Sequence, residues 1–335
     1  MKAFVGIGAA IALFGLGVIP VQAQEMENYF RGPMTIVIPY GPGGLTDARG
    51  RAFQEHMEDV IGQTIIVQNV AGGGALVGTN YVYARPSDGQ TVLVASTSDG
   101  PHAHAQLSPA KPAWDWSDWT PIGQFGMSIL GFVSSKQAEW SDMEALLEKV
   151  RAEPGSVTLA SIGPGRMDDL YMLEFMQATD TLGKWNWVFY TSSATIQADL
   201  LSGDIDVGYL GVSRQDMIDH PNFNVLAMGI APDEIPDENF PFEWPTVEEV
   251  VGRDLDLIGA GYSTVFVKAD TPKDRLAYLE QAFRDVVTDK DFQQARMEFG
   301  EPATWTPREE AQTRIDAISA KIPDFLSLRE EWVQE

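Results

Sequence analysis

Apolar residues recur along most of the chain in two rhythms: short β-rich runs, and longer stretches with helical spacing. Residues 34–39 read M-T-I-V-I-P, apolar on both faces, which predicts a buried strand of the kind found in parallel sheets. A glycine-rich turn at residues 40–44 ends the run. A helical pattern follows over residues 46–57, with Ala48, Phe53 and Met57 on its apolar side. Thr46 or Asp47 suits the cap, because a side-chain oxygen there accepts an N–H of the first turn. The unit then repeats as strand 64–68, loop 69–74 and helix 75–84. A third strand, 91–95, runs out at Ser96, Thr97 and Ser98. Strand, glycine or polar loop, helix, repeated, predicts a mostly parallel sheet. Ligands of such sheets sit beyond the carboxyl ends of the strands, and all three loops would share that edge.

A second set follows an aromatic, acidic excursion at residues 111–119, which its three tryptophans mark as ordered. Its strands are expected at 129–133, 157–160, 187–190, 205–210 and 225–229, and its helices at 141–151, 168–178 and 194–201. Residues 161–166 form another glycine loop. Residues 233–245 are acidic and proline-rich and read as a surface loop. The tail predicts strand 263–268 and amphipathic helices 275–287, 291–299 and 307–322, which serve to pack a lobe.

The first residues fit neither rhythm. Lys2 precedes an apolar run of about 17 residues, near the lower limit for spanning a bilayer, and Val21-Gln22-Ala23 carries small residues where a signal peptidase would cut. Residues 1–23 are therefore expected to be a signal peptide, with a retained anchor as the alternative. The 335 residues suit two lobes of ordinary size. Without cysteine, the chain has no lipidated-cysteine anchor, thiol nucleophile or disulfide framework. Its 48 acidic and 23 basic residues give a net charge of −25, which repels nucleic acid and anionic lipid. That charge also repels an anionic ligand at long range, so an anion site needs local donors. A salty habitat would explain the acidity equally well.

The loop Tyr40-Gly41-Pro42-Gly43-Gly44-Leu45-Thr46-Asp47 can supply those donors. Glycine lets backbone N–H groups turn inward, and the helix start adds N–H groups without intrahelical partners. Together these can cradle a carboxylate or phosphate; a plain tight turn is the simpler reading. Loop 69–74, with Gly72, Gly73 and Gly74, has the same design. Neither loop has the Lys-Ser/Thr ending of a P-loop or the full dinucleotide spacing. Arg166, just after Gly163-Pro164-Gly165, could pair with a carboxylate or simply be solvated. Thr97, Ser98, Thr191, Ser192 and Ser193 offer hydroxyls at strand ends, or local caps. His102 and His104 alternate in a loop with no third ligand near, so no metal and no cofactor is expected. No nucleophile elbow or triad pattern appears. Acid pairs such as Asp168-Asp169 arise by chance in a chain this acidic.

Three stretches together resemble one family: residues 36–47 (I-V-I-P-Y-G-P-G-G-L-T-D), 67–78 (V-Q-N-V-A-G-G-G-A-L-V-G) and 86–93 (P-S-D-G-Q-T-V-L). Weaker pieces fall at 119–123, 161–165, 200–207 and 245–250. The chain is similar to the periplasmic substrate-binding components of tripartite tricarboxylate transporters. The resemblance implies an α/β, type II periplasmic binding protein: two α/β lobes joined by a two-crossing hinge, with residues 24–125 plus 256–335 in lobe I and 126–255 in lobe II. It implies a periplasmic receptor that closes on a small carboxylate, with integral membrane permease subunits as partners, and no enzyme activity. A monomer without affinity for nucleic acid is expected. Carried over by position, the first lobe would bind through Tyr40, Gly43, Gly44, Thr46 and Asp47, with Gly72, Gly73, Gly74, Thr97 and Ser98. The second would contribute Ser161, Gly165, Arg166, Thr191, Ser192 and Ser193. The chain departs from the family at Tyr190-Thr191-Ser192-Ser193, where a Tyr-Lys pair and glycines are usual, and at Arg166, where a small residue is usual. Arg166 would favour a second carboxylate, leaving tricarboxylates, aliphatic dicarboxylates and aromatic carboxylates open. An exported receptor feeding a sensor, or an exported enzyme, are the other readings.

Overall fold

A computed structural model of the chain describes residues 32–164, 166–212, 220–230, 244–256, 261–298 and 303–334. The expected leader, residues 1–23, lies outside them, as does Gly165. Two sheets organise the rest. In chain order, the first part runs β1 (Met34–Ile38), α1 (Leu45–Ile61), β2 (Ile65–Asn69), α2 (Leu76–Tyr83), β3 (Thr91–Ser96), α3 (Pro101–Leu107) and β4 (Trp119–Ser128). The second runs β5 (Leu130–Ser135), α4 (Met143–Ala152), β6 (Thr158–Ile162), α5 (Met167–Ala178), β7 (Asn186–Tyr190), α6 (Ser193–Ser202), β8 (Val207–Gly211), β9 (Phe223–Gly229) and α7 (Val247–Val251). The chain then returns through β10 (Gly261–Lys268), α8 (Lys273–Thr288), α9 (Lys290–Glu298), β11 (Trp305–Pro307) and α10 (Arg308–Gln334).

The first sheet has the order β11-β4-β10-β3-β1-β2 and the second β7-β6-β8-β5-β9. Pairings β1–β2, β1–β3, β6–β7 and β6–β8 are parallel, whereas β10 runs antiparallel to both β3 and β4. β10 returns late in the chain to lie between β3 and β4, so the first lobe is built from both ends of the sequence. Ile129 alone separates β4 of one sheet from β5 of the other, and the chain comes back between residues 256 and 261.

α1 follows from its residues. Gly44, not Thr46 or Asp47 as expected, caps its start in an extended conformation without a side-chain bond, and Gly62 ends it at φ +64° with its N–H on the Glu58 carbonyl at 2.9 Å. Its buried face carries Phe53, Met57 and Ile61. The Phe53 ring centroid lies 4.3, 5.0 and 5.3 Å from those of Phe125, Phe292 and Phe283, so the last helices close the first lobe's core. Buried Arg49 pins α1 to the sheet, donating to Ser263 Oγ at 2.6 Å and to the Met127 carbonyl at 2.8 Å. These bonds tie α1 to β10 and β4.

Three elements differ from the sequence expectation. β4 was not expected, because Pro121, Gly123 and Gly126 interrupt its alternation. Gly123 is required there: a Cβ would lie 2.2 Å from the Trp305 ring. His102 and His104, read as loop residues, lie fully buried on α3, which begins with Pro101 at its first turn. Burial pushes the His102 imidazole down to about 4. The C-terminal helix packs both lobes: Ile322, with Ile318, Phe325 and Leu326, joins Ala103 and Leu107 of α3 to Met167, Leu170 and Leu173 of α5. The tryptophan excursion is ordered as expected, with Trp114 Nε1 on Asn80 at 2.8 Å and Trp116 Nε1 on Asp316 at 2.9 Å.

Candidate functional site

The facing carboxyl-terminal edges of the two sheets enclose a cleft of about 660 Å³, open mouth included. One wall is the corner between β1 and α1. Gly43 turns at φ +84°, which a side chain would resist. Leu45 and Thr46, at the first turn of α1, line the cleft, and helix geometry leaves their N–H groups without intrahelical partners. The Gly43 N–H is already engaged, donating to Asp47 Oδ2 at 2.8 Å. Asp47 also accepts from Asn69 Nδ2 at 2.9 Å and from Arg51 Nε at 3.1 Å. Burial raises the Asp47 carboxyl pKa, but the bonds from Arg51, Gly43 and Asn69 outweigh it and leave the group below its ordinary value. Asp47 therefore organises the corner as a fixed anion.

The second glycine loop is elsewhere. Gly72, Gly73 and Gly74 adopt φ of +133°, +56° and +61°, but none lines the cleft. The Gly72 and Gly73 carbonyls accept the Val77 and Leu76 N–H groups, respectively, each at 3.2 Å. Gly74 instead lies against the opposite lobe, where a Cβ would be 2.3 Å from the Pro164 carbonyl oxygen. The two loops, expected to converge on one carboxylate, are placed differently: one corner lines the cleft, and the other lies against backbone of the facing lobe. At the third loop, Thr97 is used inside the first lobe, exchanging bonds with the Tyr262 backbone at 2.9 and 3.0 Å. Ser98 lines the cleft.

From the second lobe, Ser161, Arg166 and Ser193 reach the cleft. Ser161 Oγ accepts from Trp187 Nε1 at 2.9 Å, which fixes the hydroxyl. Ser192 caps α6, its Oγ accepting the Ala194 N–H at 3.2 Å, and the Thr191 carbonyl accepts the Gly41 N–H at 3.2 Å. Neither Thr191 nor Ser192 lines the cleft. Both pack against the first corner, where a Cβ on Gly41 would meet Ser192 Cβ at 2.9 Å.

Two carboxylates missing from the expected set complete the site. Asp99, fully buried at the base of α3, accepts from the Tyr40 hydroxyl and, at 3.0 Å, from the Ser96 N–H. Arg166 reaches across from the other lobe, its Nη2 lying 3.4 Å from Asp99 Oδ2 and in contact with Asp168 Oδ2. The Met167 N–H donates to the Ser98 carbonyl at 2.7 Å, so the first turn of α5 is capped from the facing lobe. Burial pushes the Asp99 carboxyl up to about 6, against the opposing pull of Arg166 and Tyr40. Burial works against the Arg166 charge, but Asp168 and Asp99 outweigh it and raise its pKa further. The Arg166–Asp99 pair, the Met167–Ser98 bond and the Gly41–Thr191 bond all join one lobe to the other. No sequence signal separated Asp99 and Asp168 from the many other acids. Among the described residues, no group of three His, Cys, Asp or Glu could hold a metal, and no helix is long and apolar enough to cross a membrane.

Comparison with known proteins gives these features a family. The model of the tripartite tricarboxylate transporter family receptor matches residues 50–318. The chain is 30% identical to protein BugT of Bordetella pertussis over 197 residues, 59% of either protein. It thus spans about three fifths of that relative's length. It is 28% identical to a protein encoded in the tcbD–tcbE intergenic region of Pseudomonas sp. strain P51, over 83% of this chain and 81% of that one. Among solved structures, the periplasmic binding protein BugD superposes with a TM-score of 0.76 at 20% identity, covering 91% of this chain and 98% of BugD. Rhodopseudomonas palustris protein Rpa4515, solved with adipate, superposes with a TM-score of 0.77 at 20% identity, over 89% and 97% of the two chains. These likenesses establish the two-lobed fold of a periplasmic binding protein, as the resemblance in sequence implied. The chain belongs to the tripartite tricarboxylate transporter receptor family.

Proposed function

We propose that the chain is exported to the periplasm and binds a small carboxylate between residues 24–125 plus 256–335 on one side and 126–255 on the other. It then delivers that ligand to membrane permease subunits. The observation that carries this reading is the cleft itself, with an unpartnered helix start on one wall and a buried guanidinium on the other. In this reading the N–H groups of Leu45 and Thr46, beside Tyr40 and Gly44, hold the carboxylate, and Ser98, Ser161, Arg166 and Ser193 read the rest of the ligand. Gly43 and Asp47 shape the first corner. Gly72, Gly73, Gly74, Thr97, Thr191 and Ser192 support closure without touching ligand. Rpa4515 with adipate and the Rhodopseudomonas palustris protein MatC with bound malate lend the carboxylate class support.

Ligand contacts from both walls favour the closed arrangement over the open one, and exclusion of water strengthens each bond. A charge-assisted hydrogen bond contributes about 1.5–3 kcal/mol. Three or four of them, after ordering costs, support micromolar affinity, about −8 kcal/mol. Calorimetry and thermal-shift screens over mono-, di- and tricarboxylates test the reading. Saturable binding with a 1:1 stoichiometry is expected, and a panel without a single binder refutes it.

A further inference from the structure

The far wall of the cleft carries more negative than positive charge. Arg166 is the cation there, and its Nη2 is shared between Asp168, Asp99 and, at 3.4 Å, Ser98 Oγ. A second ligand carboxylate placed on Arg166 would gain one attraction and meet two repulsions. An ammonium group in the same place would gain two attractions against one repulsion. Of the two acids, Asp99 is sealed beneath Tyr40, whereas Asp168 lines the cleft with 12% of its side chain exposed. Arg166 occupies one oxygen of Asp168, and among the described residues no donor meets the other. A second observation points the same way. Arg166 is 6% exposed, yet its Nε is buried without an acceptor among the described residues. A buried charged donor left unpaired is costly, and it belongs to the guanidinium whose Nη2 contacts Asp168, so one ion pair carries both an unfilled donor and an unfilled acceptor. That pairing complements a group carrying both an oxygen acceptor and a positively charged donor. The net charge of −25 adds a long-range penalty that falls on dianions and spares zwitterions.

We propose that the cleft selects a zwitterion, a small carboxylate that also carries an ammonium group, and that Asp168 is the residue that selects it. Amino acids are the simplest members of that class. The inference rests on the carboxylate-receptor reading and deepens it, and it reverses the expectation that Arg166 favours a second carboxylate.

Pairs that share a carbon skeleton and differ in one ammonium group test it: glutarate against glutamate, succinate against aspartate, propionate against alanine, and butyrate against 4-aminobutyrate. Titration calorimetry on the wild-type chain should show the amine-bearing member of at least one pair binding tenfold or more tighter than its partner. Asp168→Asn should erase that preference and bind the amine-free acid more tightly than the wild type does, because one of the two repulsions is gone. Tighter binding of the amine-free acids by the wild type overturns the proposal. So does an Asp168→Asn variant that keeps the wild-type preference and melts at the wild-type temperature. If no member of any pair binds, nor any of the broader carboxylate panel, the receptor reading fails together with the proposal. Binding of amine-free acids alone refutes only the proposal.

Discussion

Gly74→Ala should separate closure from folding. Gly74 has φ +61°, and a Cβ there would stand 2.3 Å from the Pro164 carbonyl oxygen and 3.1 Å from that of Gly163, both in the facing lobe. Ordinary contact at such atoms begins near 3.4 Å, so the overlap is about 1 Å and falls on backbone, which cannot escape by changing rotamer. Gly73 is the matched control. It has φ +56°, and its nearest neighbour is Leu76 Cβ at 3.6 Å, within its own lobe. Either alanine accepts a left-handed conformation at a cost of about 1–2 kcal/mol, a drop of roughly 2–4 °C in melting temperature. Only Gly74→Ala also pushes the lobes apart. If that disfavours the closed arrangement by about 1.4 kcal/mol, the binding-competent fraction falls tenfold, and apparent affinity falls with it. Thermal melts without ligand and calorimetry with the tightest carboxylate found for the wild type read the two effects separately. The expected result is two similar melting temperatures, near-wild-type affinity for Gly73→Ala, and at least tenfold weaker binding for Gly74→Ala. Equal affinities in the two variants would refute the assignment of this loop to lobe contact.

Asp99 and Asp47 should respond to pH in opposite senses. Asp99 ionises near 6 in the folded protein, because burial penalises its charge, and near 4 when unfolded. The folded state therefore binds the proton more tightly, and this group's contribution to stability falls as pH rises from about 4 to about 6. Thermal melts of Asp99→Asn across that window should gain on the wild type as pH rises, and parallel curves would exclude the effect. Asp47 is held below its ordinary value, so it stabilises the fold above about pH 4 and loses that contribution as pH falls through its lowered folded value. Asp47→Asn should cost about 1–2 kcal/mol in urea unfolding at pH 7 and much less at pH 3. A penalty unchanged with pH would show that the carboxylate charge is irrelevant at that corner.

Much of the fold was legible because its strands are buried on both faces and its turns are written in glycine. β1, α1 and β6 followed from those signals alone. β4 was not legible, since its Pro121 and its two glycines break the alternation, and Gly123 makes room for a packing partner, Trp305, that arrives about 180 residues later. α3 has a helix-start proline but only seven residues, too few for a periodic signal, and it is covered by α10, at the far end of the chain, through Gln106 on the Ser319 carbonyl and Ala103 and Leu107 against Ile322. The site divides in the same way. Tyr40, Gly44, Thr46, Ser98, Ser161, Arg166 and Ser193, expected from loops at strand ends and from the family resemblance, line the cleft. Asp99 and Asp168 matter because Arg166 faces both. Which loops face each other across two lobes is a long-range fact, and among 48 acidic residues a pair of aspartates carries no contrast.

The two glycine loops show why a local motif underdetermines its chemistry. A glycine at positive φ signals that backbone must approach something closely, and a carboxylate or another backbone satisfies that need equally well. In the first loop, Gly44 admits Ser193 Oγ, since a Cβ would stand 2.9 Å from it, and the same opening exposes the start of α1 to the cleft. In the second, Gly74 admits the Pro164 and Gly163 carbonyls of the facing lobe. If the proposed function holds, both loops contribute to binding, one through contact with ligand and one through the closed-state population that sets apparent affinity. On this argument, substitutions at the second loop change affinity for every ligand by the same factor, whereas substitutions at Arg166 or Asp168 change the ratio between ligands. A panel of two or more ligands therefore distinguishes closure residues from recognition residues, which a single affinity cannot do.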